Sequence, residues 1–265
     1  MTEVPRLEFV RVTMRGALGR LTLDRPDKRN ALSNQVLEEI VAAAAFFDAS
    51  PDVTVVIVEG NGRSFCAGAD VSAFEAPSAG EAPTTAQVRA SAELGRAMAD
   101  SLESMRAVTV ARIHGHCVGG GVVLASACDL RVAADDSTFS IPELALGIPL
   151  TWGGIPRLVR DIGAARTRDL VMTCRPFDAA EALAIGFVTR IAPAASLDSA
   201  VDDVVASLIA KSALTLGATK RHVNAIADGM VGMARAWNDA DSLVAALRDG
   251  PSRDVARTYL RAIGR

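Results

Sequence analysis

The sequence predicts an α/β sheet that is covered by helices and followed by a helical C-terminal region. Mostly apolar runs at residues 53–58 and 108–113 are typical of strands buried on both faces. Helical patterns separate these runs, as in α/β proteins. Over residues 155–264 the pattern is almost entirely helical. We therefore expect an α/β core at residues 1–195 and a helical region at residues 196–265.

The N-terminal elements follow from short local patterns. Residues 7–14 and 18–23 alternate apolar and polar side chains around Arg15 and Gly16, which predicts a hairpin. Ser33 can cap a helix that runs to about residue 48, because apolar residues then recur at helical spacing. A hairpin and a helix therefore precede the first buried strand.

The middle of the chain alternates between helix and strand. Residues 76–86 are rich in Ala, Pro, Ser, Gly and Thr, which predicts a mobile loop, and a helix is expected over about 87–105. A glycine cluster then opens an apolar helix at about 120–127. Strands are expected near residues 129–134 and 137–141.

Composition excludes several classes of protein. The chain has 265 residues, of which 50% are apolar, with 28 Lys and Arg against 31 Asp and Glu. This is the composition of a folded globular protein, and a basic surface for nucleic acid has no support. The longest nearly apolar stretch, residues 40–47, is far shorter than the roughly 20 residues of a membrane span. We expect neither nucleic acid nor a membrane as a partner.

The N-terminus and the cysteines point to the cytoplasm. An early acidic residue and the lack of a basic segment before an apolar run do not match a secretory signal. Cys66, Cys117, Cys128 and Cys174 are widely spaced without a CxxC pair. We expect buried thiols rather than disulfides or a zinc site.

Three segments could carry chemistry. Residues 64–70 (SFCAGAD) and 115–121 (GHCVGGG) place small residues after buried strands, where backbone N–H groups become available to an oxyanion or phosphate. Two tight turns would explain the glycines equally well. In the third segment, residues 139–149, Glu143 has apolar neighbours that would raise its pKa towards the range used in proton transfer. A surface carboxylate is the alternative.

Neither glycine segment is a nucleotide cradle. The second one lacks the lysine of a P-loop. It also fails the dinucleotide pattern GxGxxG, because Leu124 stands where the last glycine should be. Nucleoside triphosphates and dinucleotides are therefore not expected as ligands.

Taken together in this order, the segments resemble the crotonase family, also called the enoyl-CoA hydratase/isomerase family. The likeness runs from about residue 7 to at least residue 192. It is carried by DRPDKRNAL at 24–32, SFCAGAD at 64–70, HGHCVGGG at 114–121, CDLR at 128–131, PELALG at 142–147 and DAAEALAIGFVTRI at 178–191.

The resemblance implies a spiral of repeated ββα units whose C-terminal helices pack in a homotrimer or homohexamer. It also implies an acyl-CoA thioester as substrate, with no separate cofactor and no metal. The backbone N–H groups of Ala69 and Gly120 would hold the thioester oxygen, and Glu143 would be the catalytic residue. Two fixed donors stabilise the enolate that forms when the α-carbon of a thioester loses a proton.

Further residues are expected from the resemblance to bind CoA or the acyl group. Lys28 and Arg29 could meet phosphates, and Lys220 lies where family members often have a lysine that faces CoA. Trp152 would wall the acyl pocket, with core packing as the alternative. The other expected CoA or substrate residues are Ala31, Leu32, Ala67, Gly68, Asp70, Val71, Val118, Gly119, Val123, Pro142, Leu146 and Gly147.

The chain departs from the hydratases of this family at one position. Those enzymes carry a second glutamate three residues after the oxyanion glycine, where this sequence has Val123. A valine can neither hold a water nor exchange its proton. One carboxylate suffices for a 1,3-proton shift, so we favour the isomerisation of 3-enoyl-CoA to 2-enoyl-CoA by Glu143. Dienoyl isomerases add an aspartate roughly where this chain has Thr151, which makes that activity less favoured.

Several alternatives stay open at the level of sequence. Within enzymes, they are an enoyl-CoA hydratase or another acyl-CoA lyase or decarboxylase. Outside enzymes, the alternative is a non-catalytic acyl-CoA-binding protein. His114 and His116 flank the glycine turn, but no acidic residue lies nearby at the spacing of a metal site. We expect Asp129 and Arg131 to make structural polar contacts.

Overall fold

The computed structural model describes residues 5–70 and 83–262. Its strands are β1 (Val10–Arg15), β2 (Leu18–Leu23), β3 (Val55–Gly60), β4 (Val108–Ile113), β5 (His116–Val118), β6 (Leu130–Ala134), β7 (Thr138–Ser140), β8 (Phe177–Asp178) and β9 (Arg190–Ala192). Its helices are α1 (Asn34–Asp48), α2 (Thr85–Ser104), α3 (Gly120–Ser126), α4 (Gly154–Thr173), α5 (Ala179–Ala184), α6 (Leu197–Ile209), α7 (Ala213–Met230), α8 (Asp239–Arg248) and α9 (Gly250–Ala262).

The main sheet has the order β1-β2-β3-β4-β6-β9. The first two strands form the predicted antiparallel hairpin, with Val10 opposite Leu23 and Arg15 opposite Leu18. The remaining neighbours are parallel. The α/β prediction is therefore confirmed, and the carboxyl ends of the parallel strands face one edge of the sheet.

Helices bury both faces of this sheet. Val56 and Val58 of β3 belong to the larger core, which includes α1 and α2. Val55 and Ile57 point the other way and pack against α6, whose apolar stripe includes Val201. This alternation is the reason the run is apolar on both faces, at residues 55–58. Ser33 caps α1 as predicted, accepting a bond from the backbone N–H of Val36.

Of a second, small sheet the sequence patterns predicted only β7, in the strand expected near residues 137–141. This sheet has the order β5-β7-β8 and is backed by the stacked rings of Phe139 and Phe177, whose centroids are 5.2 Å apart. β8 and β9 lie in the region that was expected to be almost entirely helical, so that expectation is wrong there. Strands of two or three residues are too short to show an alternating pattern, and distant partners define them.

The C-terminal helices return to the α/β core. An ion pair of 2.5 Å joins Arg89 of α2 to Asp241 of α8, and the backbone N–H of Gly153 donates to Asp239 at the start of α8. The loop expected at 76–86 lies mostly outside the described residues, as does Val71, and α2 begins at Thr85. Among the described helices, none combines the length and the apolar character needed to cross a membrane.

Candidate active site

The first N–H donor of the site is at Ala69, in the segment after β3. A parallel bridge joins Leu32 to Ala69, in which the Leu32 N–H donates to the Gly68 carbonyl at 2.8 Å and the Leu32 carbonyl accepts from Asp70 N–H at 2.9 Å. The bridge uses the groups on either side of Ala69, so the N–H of Ala69 points away from Leu32. Within the described residues this N–H has no acceptor.

The second donor is at Gly120, the first residue of α3. The N–H groups in the first turn of a helix have no partner within the helix. The N–H of Gly119 donates to the Ser140 carbonyl at 2.8 Å, whereas the N–H of Gly120 has no acceptor in the part of the chain that the structure describes. Gly119 adopts φ 51° and ψ −115°, a conformation that favours glycine.

Backbone pairing holds the two donor segments side by side. Cys66 forms a bridge to Cys117, in which Val118 N–H donates to the Cys66 carbonyl at 3.0 Å. Gly68 has a φ of 86°, and a Cβ there would lie 2.6 Å from the Val118 carbonyl oxygen and 3.3 Å from Gly120 N. Only glycine allows this approach. The predicted oxyanion donors Ala69 and Gly120 are therefore brought together.

Glu143 lies beside these donors. A Cβ on Gly119 would be 2.4 Å from Glu143 Oε1, so the absence of a side chain at Gly119 makes room for the carboxyl group. Glu143 Oε2 is buried without a hydrogen-bond partner among the described residues. Burial raises the pKa of Glu143 to about 7, and the hydrogen bond from its own backbone N–H opposes this effect. A pKa near neutrality suits a group that takes up and returns a proton.

A cavity of about 780 Å³ joins these groups. Its described lining combines the N-terminal turn of α1, one face of α2, the two donor segments, the turn after Glu143 and one face of α8. The lining residues are Leu32, Ser33, Asn34, Gln35, Leu37, Ala69, Asp70, Pro83, Gln87, Val88, Ser91, Ala92, Gly120, Val123, Glu143, Ile148, Pro149, Leu150, Thr151, Trp152, Leu243 and Leu247.

The carboxylates in this lining are Glu143 and Asp70. Asp70 is paired with Arg25 at 3.0 Å, and Arg25 also donates to the Ala31 carbonyl. Val123 lines the same cavity as Glu143 and is buried. The described lining therefore places an apolar side chain, and not a second glutamate, at this position.

The remaining predicted residues fall into three groups. Leu32, Asp70, Val123 and Trp152 line the cavity. The residues that lie on the segments around it, outside the described lining, are Lys28, Arg29, Ala31, Ala67, Gly68, Val118, Gly119, Pro142, Leu146 and Gly147. Lys28 and Arg29 are solvent-exposed cations on the turn before α1. Val71 lies outside the described residues.

Lys220 lies outside the described lining of the cavity. Its ammonium group is buried, donating to Asp129 Oδ2 at 2.7 Å and to the Ala107 carbonyl at 3.0 Å. The same Asp129 oxygen accepts from the N–H and hydroxyl of Thr109. Lys220 thus joins α7 to the sheet, and its role in binding CoA stays a prediction. Asp129 makes the structural contacts expected of it, as does Arg131, which pairs with Asp161 at 3.0 Å.

The histidines near the glycine turn are not part of the cavity lining. His114 Nε2 lies 2.8 Å from the Gly62 carbonyl and Nδ1 lies 3.0 Å from Arg112, and burial lowers its pKa. His116 is exposed. No group of three metal-ligating side chains occurs within the described ranges.

Asn30 is a functional residue that sequence reasoning missed. Its buried side-chain amide donates to the carbonyls of Asn61, Ser64 and Phe65 at 2.9, 2.8 and 3.2 Å. The Oδ1 atom of the same side chain accepts a hydrogen bond from the backbone N–H of Arg25 at 3.0 Å. These bonds fix the segment that carries Ala69 to the turn that carries Lys28. The signal was the asparagine in RNAL, because Asn tolerates the left-handed φ of 57° found there.

Comparison with known proteins identifies the family of this chain. The model of the enoyl-CoA hydratase/isomerase family matches residues 13–248. The chain belongs to the enoyl-CoA hydratase/isomerase family. The expected crotonase-like fold is thereby confirmed.

Individual members show how close the likeness is. A Mycobacterium bovis protein named probable enoyl-CoA hydratase echA8 is 36% identical over 207 residues, which cover 78% of this chain and 77% of that protein. The peroxisomal Delta(3,5)-Delta(2,4)-dienoyl-CoA isomerase of Arabidopsis thaliana is 34% identical over 227 residues, covering 83% and 82%. A crystal structure from Thermobifida fusca YX, in complex with CoA, superposes with a TM-score of 0.77 at 28% identity, covering 99% and 97%. The relatives of this chain therefore include proteins named as hydratases and a protein named as an isomerase.

Proposed function

We propose that this protein isomerises 3-enoyl-CoA to 2-enoyl-CoA. The observation that carries the proposal is that Glu143 and Val123 line the same cavity. Addition of water to a 2-enoyl thioester needs groups that hold the water, remove its proton and supply another proton to the α-carbon. A buried valine can contribute to none of these tasks. A double-bond shift needs only one group that moves one proton.

In the proposed reaction Glu143 takes a proton from C2 of the 3-enoyl thioester. The electrons move into a dienolate, whose oxygen accepts bonds from the N–H groups of Ala69 and Gly120. Glu143 then returns the proton to C4, and the double bond lies between C2 and C3. The carboxylate form of Glu143 takes the proton and the neutral form returns it, and a pKa of about 7 supports both transfers.

The CoA part of the substrate would lie along the turn before α1. The family relationship and the CoA complex of the Thermobifida fusca neighbour support the binding of CoA. The exposed Lys28 and Arg29 are suited to the phosphates. Main-chain groups at Ala31 and Ala67 would receive the adenine and the pantetheine. Acyl-CoA enters as the substrate, and the mechanism uses no further cofactor.

The names of the relatives suggest two other activities. Proteins named as hydratases are similar to this chain, and so is a dienoyl-CoA isomerase. Hydration is disfavoured by Val123, and dienoyl isomerisation by Thr151, which lines the cavity but cannot serve as a base unaided. A decarboxylase or a non-catalytic binder remains an outcome of the test below.

We also propose that the chain assembles as a homotrimer or a dimer of trimers. On α7, the apolar side chains of Val223, Ile226 and Met230 recur at i, i+3 and i+7 and are all exposed. An apolar stripe of this kind on a helix favours contact with another protein surface.

The experiment is a comparison of two substrates with two proteins. Purified wild type and Glu143→Gln are incubated with trans-3-hexenoyl-CoA and, separately, with crotonyl-CoA, and the products are resolved by mass spectrometry. Conversion of the 3-enoyl substrate without hydration of crotonyl-CoA, lost in the variant, supports the proposal. Rapid hydration of crotonyl-CoA by the wild type contradicts it. Binding of both substrates without turnover assigns the protein to another acyl-CoA chemistry or to the non-catalytic binders.

A further inference from the structure

The indole ring of Trp152 closes the cavity along α2. The residues of α2 that line the cavity are Gln87, Val88, Ser91 and Ala92, which share one face of the helix. The next residue on that face is Gly95, which is not part of the described lining. A Cβ on Gly95 would lie 2.2 Å from both Cε2 and Nε1 of Trp152. The ring therefore covers Gly95 and ends the cavity there.

The opposite edge of the same ring reaches the oxyanion donor. A Cβ on Gly120 would lie 2.4 Å from Cζ3 of Trp152. The indole thus spans from α2 to the start of α3, and it requires glycine at both contacts. Because Gly120 would bind the thioester oxygen, the wall begins beside the position of the thioester group. An acyl chain that extends along α2 meets the ring after a short distance.

The backbone of Trp152 is fixed on both sides. Its φ of 61° is unusual for a residue with a side chain, and its carbonyl accepts from Arg157 Nη1 at 3.2 Å. Arg157 is buried and paired with Asp100 and Glu103 of α2. These contacts, with the bond from Gly153 N–H to α8 at 2.8 Å, hold the ring against α2. They fix the backbone that carries the indole, so a longer chain could pass only if the side chain itself rotated.

We infer that Trp152 is the residue that determines acyl-chain length, and that it restricts the enzyme to short-chain acyl-CoA thioesters. The inference rests on the proposed function, since it assumes that the cavity holds the acyl group. Replacing the indole with a methyl group would extend the cavity along α2 towards Gly95. The extension is apolar, because Met98 and Ala99 follow on α2 and are buried.

The test compares Trp152→Ala with Trp237→Ala. Trp237 is the second of the two tryptophans, and it is 77% exposed, outside the described lining of the cavity. Binding of butyryl-CoA and decanoyl-CoA is measured by calorimetry, and turnover is measured with trans-3-hexenoyl-CoA and trans-3-decenoyl-CoA. Wild type and Trp237→Ala should prefer the short thioesters. In Trp152→Ala the ratio of long-chain to short-chain kcat/KM and affinity should rise by about tenfold or more.

A second variant, which fills the cavity, tests the inference independently if Trp152→Ala does not fold. Ala92 is buried and lies just before the ring on α2, so Ala92→Val should lower affinity for hexanoyl-CoA relative to acetyl-CoA. Circular dichroism checks that each variant is folded. Tight binding of decanoyl-CoA to the wild type, or an unchanged length preference in both folded variants, overturns the inference alone. Failure of the wild type to bind any thioester overturns the proposed function and the inference together.

Discussion

Replacement of Glu143 by Gln should make the free energy of unfolding less dependent on pH. Burial raises the pKa of this carboxyl group from its ordinary value of 4.5 to about 7 in the folded protein. A difference of this size corresponds to about 3 kcal/mol between the two protonation states. The charged form of Glu143 therefore destabilises the fold by about that amount. Glutamine has nearly the same shape and carries no charge at any pH.

The sign of the effect follows from the protons bound in each state. Between pH 4.5 and about 7 the folded protein keeps a proton on Glu143 that the unfolded chain has already lost. The free energy of unfolding contributed by this group is therefore fully present below pH 4.5, falls as the pH rises, and is constant above about pH 7. The variant should be more stable than the wild type by about 1 kcal/mol at pH 5 and by about 3 kcal/mol at pH 8.

The assay is urea unfolding at a series of pH values between 5 and 8, followed by circular dichroism. Glu38→Gln serves as a control, because Glu38 is an exposed carboxylate on α1 and its replacement should leave the pH dependence as it is. Parallel stability curves for wild type and Glu143→Gln over this range would refute the reasoning. They would mean that in the folded protein the carboxyl group of Glu143 has a hydrogen-bond partner, or a contact with water, that the cavity geometry does not show.

Further predictions concern activity, packing and assembly. The kcat/KM for the 3-enoyl substrate should rise with pH through about pH 7 as Glu143 loses its proton, and a rate that is flat between pH 5 and 9 would contradict this. Val123→Glu should gain hydration of crotonyl-CoA, measured as loss of the enoyl absorbance, and a folded variant without this activity would count against the role of that position. Asn30→Ala leaves three carbonyls without their donor, so it should lower the free energy of unfolding by roughly 1–3 kcal/mol and lower kcat, measured by urea unfolding and steady-state kinetics. Ile226→Glu should shift the sedimenting species to a smaller assembly, and an unchanged sedimentation coefficient would exclude this face from the interface.

The parts of the fold that could be predicted depend on local patterns. The cap at Ser33 and the run at 53–58 need only neighbouring residues to be recognised, and both are where they were expected. β8 and β9 were missed because their pairing partners, β7 and β6, lie far away in sequence. No local periodicity records such a partner.

The residues of the candidate site could likewise be predicted only where the local sequence carries a signature. The segments of Ala69, Gly120 and Glu143 have their own sequence signatures, and the structure brings them to one cavity. The ion pair of Lys220 with Asp129, 91 residues away along the chain, was not predicted, because only the packing of α7 brings the two residues together. The contribution of Leu243 was missed because helical spacing gives an apolar face but not the surface that the face will cover.

The most direct test of a single-carboxylate proton shift is a single turnover of trans-3-hexenoyl-CoA in deuterium oxide, with the product analysed by mass spectrometry. C4 of the substrate already carries one hydrogen and gains a second one in the shift. The buried Glu143 should carry that second proton from C2, so the account predicts that a substantial fraction of the 2-hexenoyl-CoA contains no deuterium at C4. A 3-hydroxyacyl product, heavier by one molecule of solvent, would contradict the account. So would a 2-enoyl product in which every molecule has gained one deuterium at C4.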